Sequence, residues 1–250
     1  MRRITFHTLI ALLLTALSFS GGLAWLASRM FRRTKFGLFA LLYALSSLSL
    51  WAAAMAFQTP RQPVLLGAPD SLSSPLFYSV LNRNFVTPEL ASVTHDLARH
   101  MEGTFPGTQT IALDGGFPAL NALPLLPHLS HADGRKLDLG LYWQDSEGRY
   151  LPNRMKSALG YWGYADGPSD CPKRWADLRW DLTWLQPMLP QRTLDTARTR
   201  EALLWLARDD RVKKILIEPH ILERLNIQHP KIRFQGCRAA RHDDHIHFQL

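Results

Sequence analysis

The sequence contains only two cysteines in 250 residues, Cys171 and Cys237. Two cysteines are too few for a cysteine-based metal knuckle or a disulfide-rich scaffold. They leave two alternatives open, a single disulfide if the chain faces an oxidising compartment, or two separate buried thiols. The chain also has no internal repeat and no low-complexity tract. With 46% hydrophobic and 20% charged residues, its composition excludes a disordered or collagen-like protein.

Charged side chains are absent from two runs near the N-terminus, 8–28 and 37–57. An uncharged helix of about 21 residues is long enough to cross the roughly 30 Å hydrocarbon core of a bilayer. We therefore expect a two-helix transmembrane hairpin within residues 1–60. A cleaved signal peptide is the alternative for the first run. The short loop 29–35 carries four cations, which favours a cytoplasmic loop with both the N-terminus and everything after Phe57 outside.

A basic stripe with interleaved aromatic residues is also missing, although the net charge is +8. Six of the 29 basic residues lie in the first 35 positions, beside the apolar runs, and the others are scattered among acidic residues. Nucleic acid is therefore not expected as a partner, and the surplus positive charge suits an anionic cell envelope better.

The composition of residues 61–75 is rich in proline and serine, which predicts a linker followed by one domain over 76–250. Within that domain, apolar positions 137, 139, 141 and 143 alternate along a predicted strand, with Asp138 on its other face. The elements indicate an α+β domain with an antiparallel sheet. We expect helices at 87–101, 175–189, 199–210 and 219–225, and strands at 109–114, 135–143, 212–218 and 246–250.

Five of the ten histidines fall in two short windows, 128–131 and 242–247. Imidazole is the commonest protein ligand for metals, and zinc accepts histidine nitrogen together with aspartate oxygen. The Asp133-Gly134 pair supplies a turn that can bring His131 and Asp138 together. On the closing strand, His245 and His247 share one face. Three protein ligands with an open fourth position define a catalytic zinc site, and one such set is His131, Asp138 and His247.

The pattern His131-x-x-Gly134-x-x-x-Asp138, followed by His245-Ile246-His247, resembles the two motifs of the lysostaphin, D-Ala-D-Ala metallopeptidase and murein endopeptidase (LAS) superfamily. The closer resemblance is to penicillin-insensitive murein endopeptidases, which carry further histidines at the positions of His128 and His242. The resemblance implies a compact α+β domain with a central antiparallel sheet. It also implies a Zn²⁺ cofactor held by His131, Asp138 and His247.

The resemblance further implies hydrolysis of peptide crosslinks in peptidoglycan, outside the bacterial inner (cytoplasmic) membrane and facing the periplasm. We expect His245 to orient water or stabilise the oxyanion, with His242 assisting and Asp244 an open candidate for the base. His128 is a further site candidate. Some superfamily peptidases place a glutamate where Asp244 stands, and the membrane hairpin departs from soluble periplasmic endopeptidases. The alternatives are a non-catalytic metal- or peptidoglycan-binding module and a D-Ala-D-Ala-type carboxypeptidase.

Overall fold

The structure is a computed structural model that contains both helices and strands, which confirms the mixed class expected from sequence. The residues that it describes are 2–31, 36–56, 60–119, 121, 123, 125–126, 128, 130–169, 171–172, 179 and 182–250. In chain order the elements are α1 (Arg2–Ser18), α2 (Gly21–Arg29), α3 (Phe36–Ala54), β1 (Gln62–Pro63), β2 (Leu72–Ser73), α4 (Leu76–Val80), β3 (Phe85–Val86), α5 (Pro88–Thr104), β4 (Thr110–Ile111), β5 (Lys136–Gly140), β6 (Trp143–Gln144), a 3-10 helix (Thr183–Met188), β7 (Thr193–Leu194), α6 (Thr196–Arg208), β8 (Lys214–Leu216), α7 (Pro219–Leu225), β9 (Ile232–Arg233) and β10 (His245–Gln249).

The chain divides into two compact units. Unit 1 comprises Met1–Leu66, Leu76–Ala91 and Asp114–Lys136, and unit 2 comprises Gly67–Pro75, Ser92–Leu113 and Leu137–Leu250. The division therefore does not follow the boundary at residue 75 that composition predicts, because parts of 76–250 belong to each unit. Unit 1 contains the N-terminal apolar helices and the short antiparallel pair of β1 and β3, in which Gln62 lies opposite Val86.

The prediction of one continuous helix over 8–28 is wrong. Phe19 has a φ of 62°, in the left-handed region, and the helix ends at Ser18 and restarts at Gly21. Within the described part of the chain, only α3 is long and apolar enough to cross a membrane. The predicted second span, 37–57, corresponds to α3 except near its end, where Phe57 lies outside the described residues.

Asn82 holds the break between α1 and α2 against α3. Its side-chain amide donates to the Ser18 carbonyl at 3.1 Å and to the Ser47 hydroxyl at 3.0 Å. The Trp51 indole N–H donates to Asn82 Oδ1 at 2.7 Å. A second polar link joins the Ser20 and Ser47 hydroxyls, 3.1 Å apart. We call these contacts the Asn82 clasp. Asn82 and Ser18 are 64 positions apart, so the helical periodicity of the sequence does not predict the Asn82 clasp.

Residues 61–75 are packed, in contrast to the linker that their composition predicts. Arg61 is only 1% exposed, and its guanidinium donates to the Phe117 carbonyl at 2.6 Å and the Ala132 carbonyl at 2.8 Å. The segment also contributes strands β1 and β2. Composition alone indicates a flexible segment here. It does not report the packing, because the carbonyls that bind Arg61 come from distant parts of the chain.

Unit 2 contains a four-stranded sheet in the order β5-β10-β8-β9. Strand β10 runs antiparallel to β8, with His247 opposite Leu216, and β8 runs parallel to β9. The expectation of an antiparallel sheet is therefore wrong for the β8-β9 pair.

The helices of unit 2 have the caps that their sequences supply. At the start of α6, the Asp195 side chain accepts from the Arg198 N–H at 3.0 Å. Helix α7 begins with Pro219 and ends at Asn226, which is in the left-handed conformation. Local sequence signals therefore account for the ends of both helices.

Two further sequence predictions concern residues 171–237. Residues 183–188 form a 3-10 helix, whereas 175–178, 180 and 181 of the predicted 175–189 helix lie outside the described residues. Cys171 and Cys237 form a disulfide with their Cα atoms 5.2 Å apart. The alternative of two separate buried thiols is thereby excluded.

The Asn82 clasp predicts a measurable stability difference. Asn82→Ala removes the partner of Ser18, Ser47 and Trp51, and a buried polar group left unsatisfied costs about 1–3 kcal/mol. Asn226→Ala is the matched control, because both asparagines have a positive φ, 56° at Asn82 and 48° at Asn226, but the Asn226 side chain is exposed. We expect Asn82→Ala to lower the free energy of unfolding by about 2 kcal/mol more than the control does. Denaturant titration in detergent micelles measures this difference, and equal losses would contradict the role of the clasp.

Candidate metal centre

Asp138 lies on β5, and its carboxylate is completely buried. One oxygen, Oδ1, accepts from His247 Nδ1 at 2.8 Å, and the other, Oδ2, accepts from the Tyr161 hydroxyl at 2.8 Å. His245 Nε2 lies 3.7 Å from Oδ2. A buried carboxylate is costly unless it is paired and hydrogen-bonded, and these three side chains provide that compensation.

Strand β10 presents two histidines to Asp138 because residues two apart point to the same side of a strand. On its opposite face, Ile246 and Phe248 are fully buried in the core. This apolar packing fixes the register of β10, and so it fixes which face carries His245 and His247.

His131 is placed by the turn that precedes β5. Its Nδ1 donates to the Gly115 carbonyl at 2.8 Å, and Gly134 has a φ of 71°, as a tight turn at Asp133-Gly134 requires. With the proton on Nδ1, the lone pair of His131 lies on Nε2, which is the usual arrangement of a metal-binding imidazole. The ring of His128 lies 5.3 Å from that of His131, centre to centre.

His128, His131 and Asp138 form the cluster of described residues that could hold a metal ion, since each offers one ligand atom. Two of the three ligands predicted from sequence, His131 and Asp138, are in this cluster. Its third member is His128, whereas the predicted ligand His247 is hydrogen-bonded to Asp138.

His245 is oriented by the acid that precedes it. Its Nδ1 is hydrogen-bonded to Asp244 Oδ1, and the other Asp244 oxygen accepts from the Trp162 backbone N–H. Asp244 is therefore engaged as a support of His245. Burial lowers the pKa of His245, but the neighbouring carboxylates Asp138 and Asp244 outweigh it and raise the pKa to about 9.

His242, the third histidine of this window, is also buried. Its ring lies 4.9 Å from that of His245 and 5.8 Å from that of His247, centre to centre. Its backbone N–H donates to Glu218 Oε1 at 3.3 Å. Glu218 in turn pairs with Arg179 at 2.7 Å. The structure thus brings together the three histidines 242, 245 and 247 that the sequence predicts as site residues.

The loop 161–165 is held against the segment that carries these histidines. Trp162 has a φ of 60°, a strained conformation for a bulky residue. Gln186 supports it from the 3-10 helix, because its Nε2 donates to the Trp162 carbonyl at 2.7 Å and its Oε1 accepts from the Tyr164 N–H at 3.1 Å. The Ala165 N–H donates to the Asp243 carbonyl at 2.6 Å. These bonds explain how Tyr161 reaches Asp138.

Several supporting residues are missed by sequence reasoning. The role of Tyr161 has no sequence signal, because a lone tyrosine does not reveal its partner. A buried pair in unit 1 is also missed, in which Arg83 contacts both oxygens of Asp114 at 2.6 and 2.7 Å. Asp114 Oδ2 lies 3.8 Å from His128 Nε2. The sequence signal that could have indicated this pair is the position of Asp114 at the end of a predicted strand.

Comparison with known proteins adds no family to this geometry. No family model matches the sequence, and no curated protein gives a significant match. The resemblance of the two motifs to the LAS superfamily therefore stays a prediction.

A metal ion held by this cluster would stabilise the folded protein, and zinc is the ion used to test this. A ligand that binds only the folded state adds about 2.7 kcal/mol to the free energy of unfolding when its concentration is 100 times its dissociation constant. We expect zinc to raise the melting temperature of the intact chain in detergent and a chelator to reverse the rise. Asp138→Asn, which keeps the shape of the side chain, should abolish the rise.

The matched control is Asp166→Asn, because the Asp166 side chain is 77% exposed. It should respond to zinc as the wild type does. If Asp138→Asn fails to fold, which circular dichroism detects, His131→Ala carries the same test. A zinc response that survives in a folded variant of Asp138 or His131 would contradict the assignment of this cluster.

Proposed function

We propose that this chain is a membrane-anchored zinc metallopeptidase that hydrolyses peptide bonds of peptidoglycan. The observation that carries the proposal is the buried Asp138 carboxylate, which His247 and Tyr161 hydrogen-bond and which His245 approaches to 3.7 Å. Buried charges in proteins are paired or coordinate metals. A buried carboxylate among imidazoles is typical of a metal or proton-transfer site.

The donor set fits zinc. Imidazole nitrogen and carboxylate oxygen are both common zinc ligands, and the His131 ring already has its Nδ1 on a carbonyl, as ligating histidines do. We propose His131 and Asp138, which belong to the cluster, as ligands together with His247, and His128 is a further candidate. A bound zinc ion would polarise the scissile carbonyl and lower the pKa of a water molecule towards 7.

The protein's own groups are suited to proton transfer. Asp244 fixes the His245 ring through Nδ1, which leaves Nε2 as the atom that exchanges a proton with a reacting group. Asp244 is in turn fixed by the Trp162 N–H. We therefore assign the proton-transfer role to His245 and a positioning role to Asp244. The His242 ring, 4.9 Å from that of His245, assists by shielding it from bulk water.

The substrate class is supported by the resemblance of the 131–138 and 245–247 motifs to murein endopeptidases. One observation supports the membrane anchor and another supports a location outside the cytoplasm. Helix α3 is long and apolar enough to cross a membrane. The disulfide between Cys171 and Cys237 suits an oxidising compartment such as the periplasm. Anchoring would confine hydrolysis to the peptidoglycan next to the bilayer.

The direct test combines metal content and product analysis on the intact chain in detergent. Peptidoglycan sacculi are incubated with the protein, and released muropeptides are identified by mass spectrometry. We expect the wild type to cut crosslinks. His131→Ala should lose zinc and activity together. His245→Ala should keep zinc and lose about 100-fold or more in rate, as expected for removal of a general acid–base group.

His229→Ala is the matched control, because His229 lies between α7 and β9, outside the cluster. It should retain both zinc and activity. Zinc without any product from the wild type would indicate a non-catalytic binding module. Release of terminal D-amino acids with crosslinks left intact would indicate a carboxypeptidase. A wild type that binds no zinc would overturn the whole proposal.

A further inference from the structure

Helix α3 has nearly the length of a bilayer core. Its 19 residues rise by about 28 Å, close to the roughly 30 Å of hydrocarbon in a membrane. Whatever packs against the middle of α3 therefore lies at hydrocarbon depth if the helix spans the membrane. This holds for either orientation of the helix.

The short helix α4 and the residues after it contact the middle of α3. The Tyr43 hydroxyl donates to the Val80 carbonyl, and the Asn82 amide donates to the Ser47 hydroxyl. Ser47 and Tyr43 lie about 10 and 16 Å along the helix from its last residue, Ala54. The end of α4 is thus well below the level at which α3 would leave the membrane.

At this depth no water is present, so the polar groups of non-helical backbone have to be hydrogen-bonded within the protein. The backbone around Asn82 meets this requirement. The N–H groups of Leu81, Asn82 and Arg83 donate to the carbonyls of Phe77, Ser79 and Tyr78 respectively. The Asn82 side chain is itself engaged by the clasp, and both oxygens of Asp114 neutralise the Arg83 guanidinium. The cation of this turn is therefore paired.

The outer face of α4 is apolar and exposed. Leu76 and Val80 are 76% and 51% exposed, and residues 71–82 contain no charged side chain. Ser79, also on α4, lines a cavity of about 490 Å³. Its lining is mainly apolar and includes Trp51, Met55, Leu65 and Leu66, with Ser79 and Asn84 as polar members. We call α4 and this cavity together the α3–α4 groove.

We propose that the α3–α4 groove lies within one leaflet of the membrane and that its cavity holds an acyl chain of a membrane phospholipid. The inference rests on the membrane anchoring proposed above, but not on hydrolysis. The occupant follows from the position of the cavity near the end of α3, where the lining residues Trp51 and Ala52 lie about 3–5 Å inside the last helical residue, because the acyl chains of the surrounding lipid begin near that level. The volume and apolar lining suit such a chain.

The first experiment measures the depth of α4. The native cysteines form a disulfide, so a spin label attaches to a single introduced cysteine. Labels are placed in the variants Leu76→Cys and Val80→Cys, with the intact chain in vesicles of phosphatidylethanolamine and phosphatidylglycerol. Leu45→Cys on α3 and Glu147→Cys, both exposed, are the membrane and water references. The collision rates with oxygen and with a water-soluble nickel chelate are compared.

We expect Leu76→Cys and Val80→Cys to resemble Leu45→Cys, with high oxygen and low nickel collision rates. If only Leu45→Cys is in the lipid, the groove lies in water, and the inference fails while the anchor stands. If Leu45→Cys resembles Glu147→Cys, the anchoring itself fails. Protection of the two α4 positions from both reagents would mean that protein, such as a second copy, covers the groove, which also overturns the inference.

The second experiment tests the occupant of the cavity. Phosphatidylglycerol retained after detergent purification is counted by native mass spectrometry. Ala52→Trp, which places a large side chain in the cavity lining, should lower retention about tenfold because the acyl chain loses its apolar contacts. Leu45→Trp is the matched control on an exposed position of α3 and should retain lipid normally. Equal retention in the two variants would overturn the assignment of an acyl chain to the cavity.

Discussion

The candidate site depends on one energetic constraint, the cost of keeping the Asp138 carboxylate away from water. Asp138 is completely buried, so its charge has to be balanced by its immediate neighbours. Those neighbours include two histidines of β10 and the hydroxyl of Tyr161. The groups that stabilise the charge are also of the kind that metals bind. Stability and proposed chemistry therefore come from the same contacts.

The supports of these groups form a second layer. His245 is fixed by Asp244, Asp244 by the Trp162 N–H, and the Trp162 carbonyl by Gln186. Each link is a hydrogen bond, so a change in one member would shift the others. The left-handed backbone of Trp162 is the strained point of this layer, with a φ of 60°. Such supports hold reacting groups in position, which is where much of catalytic efficiency arises.

Sequence patterns are informative wherever a local period or a turn residue carries the signal. They predict the short helix Pro219–Leu225, the strand that carries Asp138, and the histidine-rich strand at the C-terminus. They also predict the turn at Asp133-Gly134, which is encoded locally and has Gly134 at a φ of 71°. The function proposed from the same motifs stays a prediction.

The remaining features depend on contacts that are distant in sequence. The break at Phe19 is held by Asn82, and the packing of Arg61 depends on the carbonyls of Phe117 and Ala132. The parallel pairing of β8 with β9 depends on the path taken by the chain after α7. Neither hydropathy nor composition reports which distant group will satisfy a buried polar atom.

The most direct test of the metal centre is zinc K-edge X-ray absorption on the intact chain loaded with one equivalent of zinc. The account predicts nitrogen and oxygen scatterers at about 2.0–2.2 Å, with the outer-shell pattern of two or more imidazole rings. A sulfur shell at about 2.3 Å, or a spectrum without imidazole, would place the zinc elsewhere. Either of those results would contradict a centre built on His131, Asp138 and His247.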